Sequence, residues 1–261
     1  AAAEGWNPGL YDADCFYPTD PNRFFIGLLD GEPISCISAI AYNDDFGFLG
    51  FYIVKPEHRG KGYGIQIWNR AIEYLKTQNI GLDGVLVQQE NYKKSGFKLA
   101  YRNIRYRGVS KKSGNLIDDI TLLSDVPFAK VLEYDSCLFP AMRPRFLSRW
   151  INRPEGKAMG VLQNERIVGY GVIRKCREGY KIGPLFADDE NVALKLFVAM
   201  TDSIAEDSVI FLDTPEMNPA AVKLAERYEM KPVFETARMY TKKQPPVPLD
   251  KVFGVTTFEL G

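Results

Sequence analysis

The chain has a single histidine, His58, and only four cysteines, Cys15, Cys36, Cys137 and Cys176. The cysteines lie far apart and form no C-x-x-C pair. With one imidazole to assist them, they do not predict a zinc site, and no metal is expected. Free thiols suit a reducing compartment, which predicts a cytoplasmic location. Neither sign of charge is in excess: 33 Lys and Arg balance 33 Asp and Glu. Such a chain has no overall field to gather nucleic acid or an anionic membrane, so neither is expected as a partner. No apolar run approaches the ~18 residues of a membrane span. The segment Ala1 to Trp6 lacks the basic start and apolar core of a signal peptide. It reads as the tail of a helix, with the expectation that the natural chain begins earlier.

What is present is an ordinary globular composition. Of 261 residues, 46% are hydrophobic and 25% charged, enough for one large or two small domains. Arg23 to Leu29 reads as a strand, Asp30-Gly31 as a hairpin turn, and Ile34 to Tyr42 as the return strand. Asn43 to Asp45 turns into a third strand, Phe46 to Val54, which Pro56 ends for want of an N–H. After a glycine-rich stretch the period changes. Ile65, Trp68, Ala71, Ile72 and Leu75 fall on one helical face. Gly81 is placed in the connection that follows, Gly84 to Gln89 in a short strand, and Lys98 to Val109 in a long one.

Residues 110–115 are a polar linker, and the domain boundary is placed there. Beyond it the spacing predicts a strand at Ile117 to Leu123 and helices near 127–135 and 143–152. A hairpin follows, Ala158 to Leu162 and Ile167 to Lys175, with a strand at Tyr180 to Phe186. Next come a helix over 189–206, a strand at Val209 to Leu212, a helix capped by Asn218-Pro219, and a strand at Val233 to Tyr240. The two halves repeat one order of strands and helices, which predicts a duplicated α+β unit. The predicted units are residues 1–109, residues 116–243 and a tail, 244–261. The first unit lacks a final strand after Val109. Val252, Val255 and Phe258 lie in a β-prone stretch that either pairs back onto it or bridges the halves.

The chemistry is concentrated in one loop. A strand runs into Arg59-Gly60-Lys61-Gly62-Tyr63-Gly64 and a helix runs out. Glycines let backbone N–H groups converge, and the helix start adds unpaired donors and the positive end of its dipole. Together they suit a diphosphate. A Walker loop is absent, and a Rossmann fingerprint fails on spacing.

Val54 to Gly64 resembles the central motif of the GNAT superfamily of CoA-dependent N-acyltransferases. Arg59, Gly62 and Gly64 fall on its signature positions. Tyr92-Lys93-Lys94-Ser95-Gly96-Phe97 is similar to the family's Tyr-x-x-x-Gly-Phe, at the expected distance. The resemblance implies two tandem GNAT-like domains, each a mixed, mainly antiparallel sheet flanked by helices. It implies that acetyl-CoA is the donor, with the backbone of Tyr52, Ile53 and Val54 on its pantetheine arm and Arg59, Gly60, Lys61, Gly62, Tyr63 and Gly64 on its pyrophosphate. Tyr92 matches the residue that protonates the leaving thiolate, or else it is a wall of the cleft.

The implied reaction is direct attack by a primary amine of a small molecule or protein. The family's glutamate in the strand before the loop has no counterpart, because Phe46 to Gly50 holds no carboxylate. Glu90, Asp44, Asp45 and a water chain remain as candidate proton acceptors. Asp44, Asp45, Glu90, Asp213 and Glu216 are also read as acids near the cleft that would attract a cationic amine. His58 is expected to be exposed and non-catalytic.

The second half departs from the pattern. Phe186 to Asn191 has no glycine and three acids, and negative charge there opposes a diphosphate. Ala225 stands where the tyrosine would be, and Glu229-Met230 replaces Gly-Phe. A degenerate half that does not bind CoA is expected. An acyl-CoA-binding or sensing protein without turnover is the alternative function, and homodimerisation is left open.

Overall fold

Asp30 and Gly31 both take positive φ (+51° and +85°), the two-residue hairpin turn whose twist matches its flanking strands. In the computed structural model, which describes residues 1–114 and 119–261, a short helix α1 (Asp12–Phe16) precedes that hairpin. Strands β1 (Phe24–Leu29), β2 (Glu32–Ala41) and β3 (Phe46–Val54) form the antiparallel meander. Helix α2 (Tyr63–Tyr74) buries Ile67, Trp68 and Ala71 against it. Ile65, expected on that face, is exposed, because it sits in the first turn at the mouth of a cavity.

Strand β4 corrects the expectation of 84–89. It runs Asn79–Val85 in parallel with β3 and includes Gly81. The space a Gly81 side chain would take is filled by the rings of Phe48 and Tyr240, at 2.9 and 3.1 Å from where its Cβ would stand. Helix α3 (Gln89–Lys94) and strand β5 (Lys98–Val109) complete the first half.

The second half opens with β6 (Ile120–Leu122); Ile117 and Asp118 of the expected strand lie outside the described residues, as does Asn115 of the linker. Helices α4 (Phe128–Ser136) and α5 (Pro144–Ile151) follow, then the antiparallel β7 (Gly156–Gln163), β8 (Arg166–Lys175) and β9 (Tyr180–Ala187). Helix α6 (Glu190–Asp202) leads to β10 (Val209–Pro215), parallel to β9, and α7 (Pro219–Arg227) to β11 (Lys231–Tyr240). A last short strand, β12 (Val252–Gly254), pairs with β9. No helix among the described residues is long and apolar enough to cross a membrane.

All twelve strands described belong to one mixed sheet, flanked by helices, and its order shows how the halves are joined. Strand β11, from the second half, lies between β4 and β5 of the first. Strand β5 in turn pairs with β10 of the second. Each half therefore takes the other's last strand. The strand missing from the first half is supplied by β11, not by the tail.

Of the three joints between the halves among the described strands, β4–β11 and β5–β10 each carry an ion pair between directly opposed residues. Asp83 on β4 faces Arg238 on β11, with oxygen–nitrogen distances of 2.8 and 2.6 Å. Asp213 on β10 faces Arg105 on β5, at 2.6 and 2.7 Å. Both pairs are bidentate and buried. Burial alone would push the Asp213 carboxyl up; the Arg105 charge and its hydrogen bonds outweigh it and hold Asp213 below the usual carboxylate range.

The tail bridges the halves, as one of its two expected roles required. Phe253 is buried among α6 and α7 residues, and the Asn218 side chain donates to the carbonyls of Asp250 and Val252. Further on, the Tyr42 hydroxyl of the first half donates to the Leu260 carbonyl at 2.7 Å.

Arg238→Met should leave Asp83 buried without its charge partner, at a cost of about 3–5 kcal/mol. For a chain of this size that lowers Tm by about 10 °C. An unchanged melting temperature would show that the Asp83–Arg238 pair does not hold the joint.

Candidate functional site

Gly60 and Gly62 have φ of +72° and +81°, and a Cβ on either would meet nothing within 4 Å. They are needed for backbone conformation rather than for space. Gly62 is the residue before α2, and no side chain caps that helix. Its first N–H groups therefore stay available at the positive end of a 12-residue helix. Gly64 is needed for the opposite reason: its Cβ would stand 2.6 Å from the Tyr52 hydroxyl. Arg59 donates from Nε to the Val54 carbonyl at 2.8 Å and pairs with Glu4 at 2.5 Å, which fixes it beside the loop.

Below the loop the sheet opens. Strands β3 and β4 pair only from Phe46↔Asn79 to Leu49↔Leu82. At Phe51 and Tyr52, between the Gly50↔Ser38 and Ile53↔Cys36 pairs, a bulge shifts the register of β2 against β3. Phe51 takes φ +50°, a rare conformation for a bulky residue. From Gly50 to Val54 the β3 edge is free of β4. The wedge between them is a cavity of about 500 Å³, the size of a ligand site.

Tyr52, Ile53, Val54, Arg59, Gly60, Gly62, Gly64 and Tyr92 all line this cavity, so the structure brings these candidates together. Lys61 and Tyr63 sit in the same loop but are not in the wall, and His58 is half-buried beside Tyr63 outside it.

Tyr92 is buried, with its ring stacked on Trp68 at 5.5 Å and packed over Gly84, where a Cβ would stand 2.2 Å from the ring. Burial pushes its hydroxyl up to about 12, so it carries a proton throughout the neutral range. The motif around it is also a helix stop. Phe97 N–H bonds to the Tyr92 carbonyl and Gly96 N–H to that of Lys93, with Gly96 at φ +89°.

The acids behave differently from expectation. Glu90 is exposed, pairs with Lys93 at 2.7 Å and does not line the cavity. It projects from the outer side of a short helix whose inner side carries Tyr92. Asp44 and Asp45 are exposed in their turn, Glu216 accepts from the Arg102 N–H, and Asp213 is taken up by Arg105; none lines the cavity. The carboxylates that do are Glu4, paired with Arg59, Asp83, paired with Arg238, and Glu259.

Glu259 was not singled out from the sequence, where it lies about 170 residues beyond the tyrosine motif with no local pattern to mark it. It comes from the tail, and its backbone carbonyl presses on Gly50: a Cβ there would stand 1.8 Å from the Glu259 oxygen. Beside it in the cavity wall are Trp6, Arg105, Phe234 and Phe258. The Arg105 guanidinium lies over the Phe258 ring at 4.8 Å.

The second half has a matching wedge position that is closed. Asp189 caps α6 by accepting from the Asn191 and Val192 N–H groups, so its own side chain takes the donors that a ligand would need. Strand β12 lies against β9, and the Phe253 carbonyl accepts from the Thr214 hydroxyl of β10. The helix stop survives: Met230 N–H bonds to the Ala225 carbonyl, and Glu229 takes φ +56° where the first half has glycine.

Comparison with known proteins agrees with this two-part organisation. A model of the acetyltransferase (GNAT) family matches residues 2–97, and a model of an acetyltransferase (GNAT) domain matches residues 131–254. Holothin acyltransferase from Pseudoalteromonas sp. (strain SANK 73390) is 28% identical over 261 residues, covering 100% of this chain and 89% of that protein. A putative acetyltransferase from Pyrococcus horikoshii superposes with a TM-score of 0.84 at 23% identity, covering 96% of this chain and 84% of that one. A tandem GNAT protein from the clavulanic acid biosynthesis pathway gives 0.60 at 10% identity, covering 84% and 82%. At these identities the two structures show a shared fold.

Gly50→Ala should drive a methyl into the Glu259 carbonyl and displace the tail, costing about 1–3 kcal/mol. Denaturant unfolding checks this, and a variant as stable as the parent would contradict the close contact.

Proposed function

The chain belongs to the GNAT superfamily of acyltransferases, in its tandem form, and on that basis we propose that it moves an acetyl group from acetyl-CoA to a primary amine by direct attack. The observation that carries this reading is the continuity of the wedge. Open amides at the α2 start lead to the free β3 edge, and that edge leads to Tyr92 and a partly aromatic inner end. The diphosphate suits the first, an extended amide-bearing arm the second, and the acyl thioester and acceptor the third.

In this reading the Gly60 to Gly64 amides hold the pyrophosphate, and Gly50 to Val54 offer backbone hydrogen bonds to the pantetheine arm. Tyr92 gives its proton to the departing thiolate. Trp6, Phe234 and Phe258 favour a small acceptor with an apolar body over a lysine on a protein surface. The relative named holothin acyltransferase, matched along the whole chain, supports acyl transfer as the chemistry.

Thiol release from acetyl-CoA in the presence of a panel of amines tests the proposal. Tyr92→Phe should lower kcat about 10²-fold while leaving CoA affinity nearly unchanged. Binding of CoA with no thiol release on any amine would instead favour a sensing protein. Gly62→Ala forces an alanine into a left-handed conformation at a cost of about 1–2 kcal/mol. CoA affinity by calorimetry should fall roughly tenfold, and an unaffected affinity would remove the loop from the site.

A further inference from the structure

The carboxylates of the cavity wall differ in one respect. Glu4 and Asp83 are held by Arg59 and Arg238. Glu259, 6% exposed, has no hydrogen bond to its carboxylate and no cation within ion-pair distance among the described residues. A buried carboxylate without a partner is costly, and a structure that keeps one in a ligand cavity keeps it available to a ligand.

Its position adds to this. The anion-binding end of the wedge is at α2, and the β3 edge runs back from Val54 to Gly50, where the pairing with β4 begins. Four residues of strand span about 13 Å. Gly50 is therefore the far end of the arm's path, and the Glu259 backbone touches it.

Resting on the N-acyl transfer reading, we propose that the Glu259 carboxylate takes the proton from the acceptor's ammonium group at the Gly50 end of the cavity. The amine arrives as R–NH3+ and gives one proton to Glu259. Its freed lone pair forms the C–N bond at the thioester carbon, and the C–S bond breaks. The thiolate takes a proton from Tyr92, and the nitrogen's second departing proton restores Tyr92. Glu259 then returns its proton to water.

The charged groups around Glu259 come from four elements: Lys181 on β9, Arg105 on β5, Arg174 on β8 and Asp12 on α1. Arg105 is committed to Asp213, Arg174 to Asp12, and the Lys181 amino group donates to the Asn7 carbonyl. Burial outweighs the attraction of Lys181, Arg105 and Arg174, and pushes the Glu259 carboxyl up. A raised carboxyl favours the fold when protonated and costs stability above its folded value. Glu259→Gln removes that cost, so its Tm at neutral pH should not fall.

The test measures thiol release from acetyl-CoA by the full-length protein, Glu259→Gln and Glu259→Asp, across about pH 6 to 10, with an alkylamine and a weakly basic arylamine in the panel. For the alkylamine near pH 7, Glu259→Gln should lose about 10²–10⁴-fold in kcat with KM for acetyl-CoA unchanged. Its rate should climb with pH as free amine appears. The arylamine, already neutral, should lose far less, and Glu259→Asp should be intermediate. A Glu259→Gln variant with the parent's kcat and pH profile overturns the assignment and leaves N-acyl transfer standing. A parent that turns over no amine overturns both. If the variant melts early, recovery at high pH still decides, because a collapsed site does not regain rate as the amine deprotonates.

Discussion

Two Asp–Arg pairs, Asp83 with Arg238 and Asp213 with Arg105, hold the positions on which the rest of the molecule depends. Each lies between directly opposed residues of neighbouring strands, one on the β4–β11 joint and one on the β5–β10 joint. A buried carboxylate tolerates burial here only with its guanidinium opposite, and the guanidinium only with its carboxylate. A slip of one residue at either joint would separate that joint's two charges and turn the slipped one to the other face. The pairs thus specify register and strand identity together. They also explain why the cavity has walls from both halves, since Asp83 on β4 and Phe234 and Thr236 on β11 are in its lining.

The wedge follows from that joint. Strand β4 is held on one side by β11, so it cannot follow β3 when the bulge at Phe51 turns β3 away. A cleft opens between a fixed strand and a diverging one, and the helix start lies at its wide end. Tyr52, tilted against Trp68, and Tyr92, stacked on it, form one wall, so packing places the phenol. At the Gly50 end the tail contributes Phe258 and Glu259 to the lining.

Much of this was legible in the sequence where a local rule applied. The hairpin at Asp30-Gly31, the cap at Asn218, the glycine loop and the tyrosine motif each have a short-range cause, and each was found where expected. The tandem α+β organisation followed from the repeated order. The crossing of β5 and β11 had no local signature, because both are long strands of the same character and either could pair with β4. The same limit hid Glu259. Its significance comes from a backbone contact with Gly50, and a glutamate in a β-prone tail carries no mark of that contact. Glu90 drew attention by proximity in the chain, yet a helix turns neighbours to opposite sides, and Tyr92 took the inner one.

Strand β12 has a consequence for ligand competition. It is joined to β11 by a connector of about ten residues, so it is present at the second wedge at an effective concentration on the order of millimolar. A free nucleotide approaching that wedge would have to displace a tethered rival already packed through Phe253. The same tether carries Glu259 to the first wedge. One connector length therefore sets both how firmly one cleft is blocked and how fully the other is furnished, and lengthening it would dilute the two effects together.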